Sequence, residues 1–291
     1  LGAMRALAQY VMRGPLQAGG VAAVTTAVPL LFWIGAAVVG LVILRLGISQ
    51  GLNIGLWALL PALGWSIFGQ DPTALAVLLQ VMLMASLIRT TQSWEKALLA
   101  GSFLAIVTGL MLPVVYPGLL DDLVQAGVSF YQQYNAEIAQ SLGDDLDRVI
   151  RDTMNASMAG TYLATGVGMT MLARSWQAGL YNPGGFRKEF HSLRLSAPIA
   201  VLCAVTMVVG PILGLNSMLL AWAAGTPLFL ASLALVHGVV GLKKLSGNWL
   251  AMFYVALILL GPSLMILLVV LAFVDSWLDI RGRMKPAGPA E

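Results

Sequence analysis

Charge is what this chain lacks most. Only 10% of its 291 residues are Asp, Glu, Lys or Arg, where a soluble domain carries about a quarter. With 59% hydrophobic residues and a mean hydropathy of +0.86, one large soluble core cannot account for the deficit, and a polytopic membrane protein is expected. Cysteine is almost absent too. The single Cys203 lies in an apolar run, which excludes a disulfide framework and a paired-cysteine metal site.

Catalytic signatures are equally missing. There is no HExxH, no GxSxG and no phosphate-binding Walker loop, and no two carboxylates share an apolar run. Gly166-Val-Gly168 is too short for a nucleotide loop. No enzyme activity, no cofactor and no nucleic-acid partner is therefore expected. No basic stub, short apolar core and small-residue cleavage site open the chain, so no removable signal peptide is expected.

What is present is a series of apolar runs: 15–44, 52–68, 73–88, 97–116, 154–173, 197–213, 217–240 and 249–274. A membrane helix needs about 20 apolar residues. The first and last runs exceed one simple span, and each has a proline near its middle, Pro29 and Pro262. Either run is one kinked helix or two short ones.

Basic residues arbitrate, because Lys and Arg collect on the cytoplasmic side. Two short passes in the first run bring Arg5, Arg13, Arg45, Arg89, Lys96, Arg174, Arg187, Lys188, Arg194, Lys243 and Lys244 to one side. Only Arg148 and Arg151 then face the other. Arg281, Arg283 and Lys285 join the majority only if the last run crosses twice or re-enters at Gly261-Pro262. The fold class expected is all-α, a transmembrane bundle of eight to ten passes in the bacterial cytoplasmic (inner) membrane.

The organisation expected is transmembrane helices over 1–118, an acidic segment over 119–152, further transmembrane helices over 153–280 and a disordered tail over 281–291. The acidic segment holds Asp121, Asp122, Glu137, Asp144, Asp145, Asp147 and Asp152, more than half of the chain's 13 acidic residues. Leu120, Leu123, Val124, Tyr131, Tyr134, Ile138, Leu142, Leu146, Val149 and Ile150 recur in it at helical spacing. This predicts an amphipathic extracytoplasmic insertion, broken at Gly143, serving either as a connector or as a lid over a cavity open to the outside.

Few residues stand out as functional. His237 is the ionisable residue clearly inside a span, near its cytoplasmic end, and is either hydrogen-bonded to a neighbouring helix or a gate. The string 172–190 sits where a span meets the cytoplasm. Arg174 and Trp176 suit the headgroup level, and Asn182-Pro183-Gly184-Gly185 is turn chemistry. The string is either an interfacial turn that obeys the positive-inside rule or a docking element, in which Phe186 and Phe190, with Arg187, Lys188 and Arg194, lay a short amphipathic helix on anionic lipid or on a partner. Gly19, Ala23 and Ala27 form a small-residue stripe suited to close helix contact, internal or with another subunit.

Several of these strings carry a family resemblance. Arg45-Leu-Gly47 with Gly51, the 97–109 span, Ala173-Arg-Ser-Trp-Gln177, Tyr181-Asn-Pro-Gly-Gly-Phe186 and Asp275-Ser-Trp-Leu-Asp-Ile-Arg281 together resemble the YybS-type family of predicted bacterial membrane proteins over nearly the whole chain. That family is distantly similar to the S components of energy-coupling-factor transporters. The resemblance implies a small-molecule ligand bound from the outside, a transmembrane coupling subunit as partner and ATPases on separate chains. It also implies a docking role for Ala23 and Ala27, where S components use an alanine stripe. This chain departs from that pattern in its additional spans and its acidic insertion. A structural or regulatory subunit of a larger membrane assembly is the alternative expectation.

Overall fold

A computed structural model describes residues 2–284. All regular structure among the described residues is helical. The helices are α1 (Gly2–Val11), α2 (Pro15–Ala27), α3 (Phe32–Leu46), α4 (Ile48–Phe68), α5 (Thr73–Thr91), α6 (Trp94–Val115), α7 (Pro117–Tyr134), α8 (Ala136–Leu142), α9 (Leu146–Tyr181), α10 (Gly185–Ser192), α11 (Ala197–Ile212), α12 (Ser217–Leu242), α13 (Asn248–Leu260), α14 (Pro262–Leu278) and α15 (Ile280–Arg283).

Two helices organise the bundle. α3 carries no polar residue before Arg45, and Gly35 through Leu44 are all buried. A helix apolar on every side belongs in an interior, and α2, α4, α5 and α9 surround this one. α12 is the second centre, packed by α6, α9, α11 and α14. Small residues permit these approaches. A Cβ on Gly40 would meet Val81 of α5 and Ala173 of α9, and one on Gly109 would meet Leu219.

Side-chain contacts fix the direction of each helix. The Arg89 guanidinium donates to the Leu44 carbonyl at 2.9 Å and Arg45 lies over the Tyr181 ring, so α3, α5 and α9 end together. At the opposite end Asn155 donates to the Gly109 carbonyl at 2.8 Å, Asn216 donates to the Asp152 carbonyl at 2.9 Å, and Ser66 hydrogen-bonds Tyr116. One end is thus basic. The other carries the acidic segment.

Both proline-centred runs are pairs of short helices. α2 and α3 have 13 and 15 residues, about 20 and 22 Å at 1.5 Å per residue, against a hydrocarbon core of about 30 Å. α13 and α14 meet at Gly261, whose φ of 50° suits glycine, followed by Pro262. Tyr254 bonds His237 near the basic end of α12, and Arg281, just past α14, reaches the His191 carbonyl. The open ends of the α13–α14 hairpin therefore lie at the basic end. Four helices, α4, α5, α6 and α12, are long and apolar enough to cross a membrane, and a fifth span arises if α10 and α11, bent by 64°, count as one. That fits an integral membrane protein.

The segment 119–152 is helical, with breaks at Asn135 and at Gly143. The boundaries expected at 118/119 and 152/153 fall inside α7 and α9. α9 has 36 residues, about 54 Å, so its first turns project past the bundle and pack on α7 through Val124, Leu146 and Ile150. Leu120 joins the main core, whereas Tyr134 and Ile138 are exposed. The expected tail boundary at 280/281 falls inside α15; residues 285–291, including Lys285, lie outside the described residues.

Candidate functional site

The basic end is built around α10. Asn182-Pro183-Gly184 turns the chain out of α9, with Gly184 at φ 83°, a left-handed conformation that glycine adopts without strain. α10 then lies across the bundle end with its aromatic face turned inward. Phe186 lies 6.3 Å from the Trp94 ring and 6.1 Å from Phe190, and Phe190 meets His237 edge-on at 5.4 Å. The amphipathic helix anticipated as a pad for lipid or a partner thus spends its apolar face on its own bundle. Arg187 and Lys188 are left on the exposed face.

Two of the anticipated docking residues are internal. Arg174 grips Glu189 of α10 through Nε, at 3.0 Å to Oε2, and through Nη2. Trp176 is buried in the core. Asn182 is exposed at the C-terminal end of α9 and its carbonyl accepts from the Gly185 amide. Ala23 is half-buried and Ala27 exposed. Their stripe lies along α4, where Gly19 packs on the Trp57 ring and the Ala27 carbonyl accepts from Trp65 Nε1 at 3.2 Å.

Residues the sequence reading missed complete the arrangement. Arg281 is nearly buried and donates to the carbonyls of His191 (2.6 Å) and Leu193 (2.8 Å) and to Asp275 Oδ2 (3.2 Å). Asp275, buried at the end of α14, also accepts from the Ile280 amide at 2.8 Å. Arg194 donates to the Asp275 carbonyl at 3.3 Å and lies 4.0 Å from Asp279. These bonds tie the 191–194 turn to the end of α14. Gly238 and Gly241, one turn apart on α12, make the space: a Cβ on Gly238 would lie 2.7 Å from the His191 carbonyl, and one on Gly241 would lie 2.8 Å from its ring. The signals available were this Gly-x-x-Gly spacing and the Asp275, Asp279, Arg281 group, which had served only the resemblance and the orientation of the last run.

Two pockets open here. The first, about 840 Å3, is lined by Gly184, Arg187, Lys188, His191, Ser192, Arg194, Gly238, Gly241, Leu242, Asp279, Arg281 and Gly282. Four cations face one carboxylate. The second, about 540 Å3, is mostly apolar and is lined by Met171, Phe186, Arg187, Phe190, His191, Leu230, Leu233, His237, Val240, Gly241, Leu250 and Tyr254. The two share Arg187, His191 and Gly241.

No protein-family model, no curated protein and no solved structure matches this chain.

Electrostatics follow from the lining. Burial pushes the His191 imidazole below its ordinary value, and Arg187, His237 and Arg281 push it the same way, so it is neutral at pH 7. Burial also lowers Arg281, against the opposing pull of Asp275 and Asp279. Arg187 and Lys188 form no ion pair among the described residues. The arrangement can hold an anion. At the acidic end, no three acidic, histidine or cysteine side chains converge among the described residues in a way that would hold a metal ion, and Arg151 is occupied by Asp121 at 2.8 Å and Asp147 at 3.6 Å.

Proposed function

We propose that the chain is a multi-pass protein of the bacterial cytoplasmic membrane that holds an anionic small molecule in the basic pocket and passes it on within a transport assembly. The reading keeps the role that the YybS-type and S-component resemblance implies, with coupling energy supplied by partner chains, and assigns no catalytic step to this one. It moves the binding site from beneath the acidic segment to the opposite end. The observation that carries it is the 840 Å3 pocket with its four cations, a volume within the range of about 300–1,000 Å3 typical of small-molecule sites.

The positive-inside rule puts the basic end in the cytoplasm and makes the acidic helices an extracytoplasmic cap. We read ten of the helices, α2 to α6, α9 and α11 to α14, as passes; four of them, α4, α5, α6 and α12, are long and apolar enough to cross alone, and the others would be short or bent passes.

The test is purification of the full chain, mass spectrometry of what accompanies it, and the same with Arg187 and Arg194 both changed to Glu. A co-purified anion lost in the double variant is expected. No ligand from a metabolite screen, or one indifferent to the reversal, overturns the reading. The exposed, unpaired Arg187 and Lys188 favour a second reading, a structural or regulatory subunit of a larger assembly docked at α10. A single dominant protein partner on crosslinking, lost on charge reversal and without a small molecule, supports that instead.

A further inference from the structure

The ligand class can be narrowed, on the assumption that the basic pocket is the binding site. The two pockets are of opposite character, yet they share Arg187, His191 and Gly241. One is cationic and lies where the chain emerges from its spans. The other is walled by Met171, Phe190, Leu230, Leu233, Leu250 and Tyr254 and runs between α9, α10, α12 and α13.

The apolar pocket has an open flank. α13 supplies Leu250 and Tyr254 to its wall but has no buried residue, and its bond from Tyr254 to His237, 2.8 Å long, spans the gap to α12. A water-soluble anion would use only the cationic half. Two adjoining compartments, one for charge and one for hydrocarbon, match a molecule with both.

We propose that the paired pockets bind a single anionic phospholipid, its phosphate among Arg187, Lys188 and Arg194 and a hydrocarbon chain between α12 and α13. Basic pockets between helices on the cytoplasmic side are suited to anionic headgroups. Arg194 is held for the task by the carbonyls at the end of α14, and Arg281 fixes the 191–193 backbone, its donors being occupied. The neutral His191 sits between headgroup and chain, where a charged ring would lie at the mouth of the apolar half. Gly241 keeps that junction open, since a methyl group there would meet the His191 ring.

The experiment uses the full chain in detergent, with native mass spectrometry and thermal unfolding as readouts. Dioleoylphosphatidylglycerol, dioleoylphosphatidylcholine, glycerol phosphate and inorganic phosphate are added separately. Phosphatidylglycerol alone is expected to form a retained one-to-one adduct and to raise the unfolding temperature. Arg187→Gln with Lys188→Gln should weaken the adduct about thirtyfold, from about 1 kcal/mol per basic residue beside anionic lipid. Leu233→Trp, which fills the apolar half without touching a charge, should weaken it too.

Equal retention of phosphatidylcholine, equal stabilisation by glycerol phosphate or inorganic phosphate, or indifference to Leu233→Trp overturns the proposal. The lipid comparison on the unaltered chain decides the matter even if a variant fails to fold. A co-purified water-soluble anion with no lipid preference defeats this inference and leaves the proposed function standing. Absence of any anion defeats both.

Discussion

Arg281→Met is the most informative single change at the basic end. It removes the donors that hold the His191 and Leu193 carbonyls and the partner of Asp275. The Arg281 side chain is 12% exposed and that of Asp275 3%, so the pair counts as buried. Removing one partner of a buried ion pair costs about 3–5 kcal/mol, because the other charge is left uncompensated. Hydrogen bonds inside membrane proteins are worth less, about 0.6 kcal/mol on average. Here the larger scale governs, since Asp275 would keep only the Ile280 amide, and a loss of about 3 kcal/mol is expected. Asp275→Asn leaves Arg281 its two carbonyls and should cost about 1.5–3 kcal/mol, the scale of one charge-assisted bond. Arg281→Met with Asp275→Leu should recover most of the loss, as apolar replacements of buried pairs do. Tryptophan fluorescence in mixed micelles with a rising fraction of dodecyl sulfate measures all three. If Arg281→Met costs under 1 kcal/mol, or the double variant is no more stable than Arg281→Met alone, the pair does not hold the end together.

Four further outcomes are expected. Since His191 is held below 6.5 by burial and by neighbouring Arg187, His237 and Arg281, its contribution to stability is complete above about pH 6.5 and declines as pH falls below it. His191→Gln should flatten that part of a stability profile, and an unchanged slope would discount His191. Gly238→Ala places a methyl group 2.7 Å from the His191 carbonyl and should destabilise by about 1–3 kcal/mol, the usual range for overpacking, read from the midpoint of the same unfolding curve. Gln80 is buried with Nε2 bonded to the Gly101 carbonyl and Oε1 without a partner; Gln80→Met removes both, and its unfolding free energy should stay within about 1 kcal/mol of the parent. For orientation, Lys188→Cys and Asp144→Cys, each made with Cys203→Ala, should react with an impermeant thiol reagent from opposite sides of sealed vesicles; labelling from the same side would contradict the placement of the acidic cap.

Much of the fold was legible because a bilayer imposes length and composition directly. The run 217–240 became α12 and 73–88 became α5, each within a few residues, and Pro29 and Pro262 lie where two long runs divide. Pro61, Pro113, Pro211 and Pro227 lie inside helices, so proline alone did not decide; at residues 29 and 262 the run was also too long for one span. The run 154–173 understated α9 at both ends. Its first turns are polar and are stabilised by α7, a tertiary contact that hydropathy does not register. The site was less legible. Phe186 and Phe190 were read as an outward-facing apolar stripe because amphipathicity gives a direction without naming what lies along it. Asp275 and Arg281, six residues apart, share no helix face and meet only because the backbone turns at Asp279, at φ 46°. Arg187, Lys188 and Arg194 stood out in the sequence; the compartment they enclose depends on Gly238 and Gly241, whose role exists only once α10 lies against α12.

The two hairpins bear on how such a chain enters a membrane. Between Arg13 and Arg45, and again between Lys244 and Asp275, there is no charged residue, so the tips at Pro29 and at Gly261-Pro262 can be pushed into the lipid from the basic side with no ion to strip of water. Each Asp, Lys or Arg in the middle of the bilayer would add about 2.5–3.5 kcal/mol to that step. In the proposed orientation the segment from α7 to the first turns of α9 faces the opposite demand, because Asp121 through Arg151 carry a cluster of ions that must all reach the far side. On that orientation biogenesis is divided: the two hairpins can seat themselves from one face, and the translocation machinery is needed chiefly for the acidic middle.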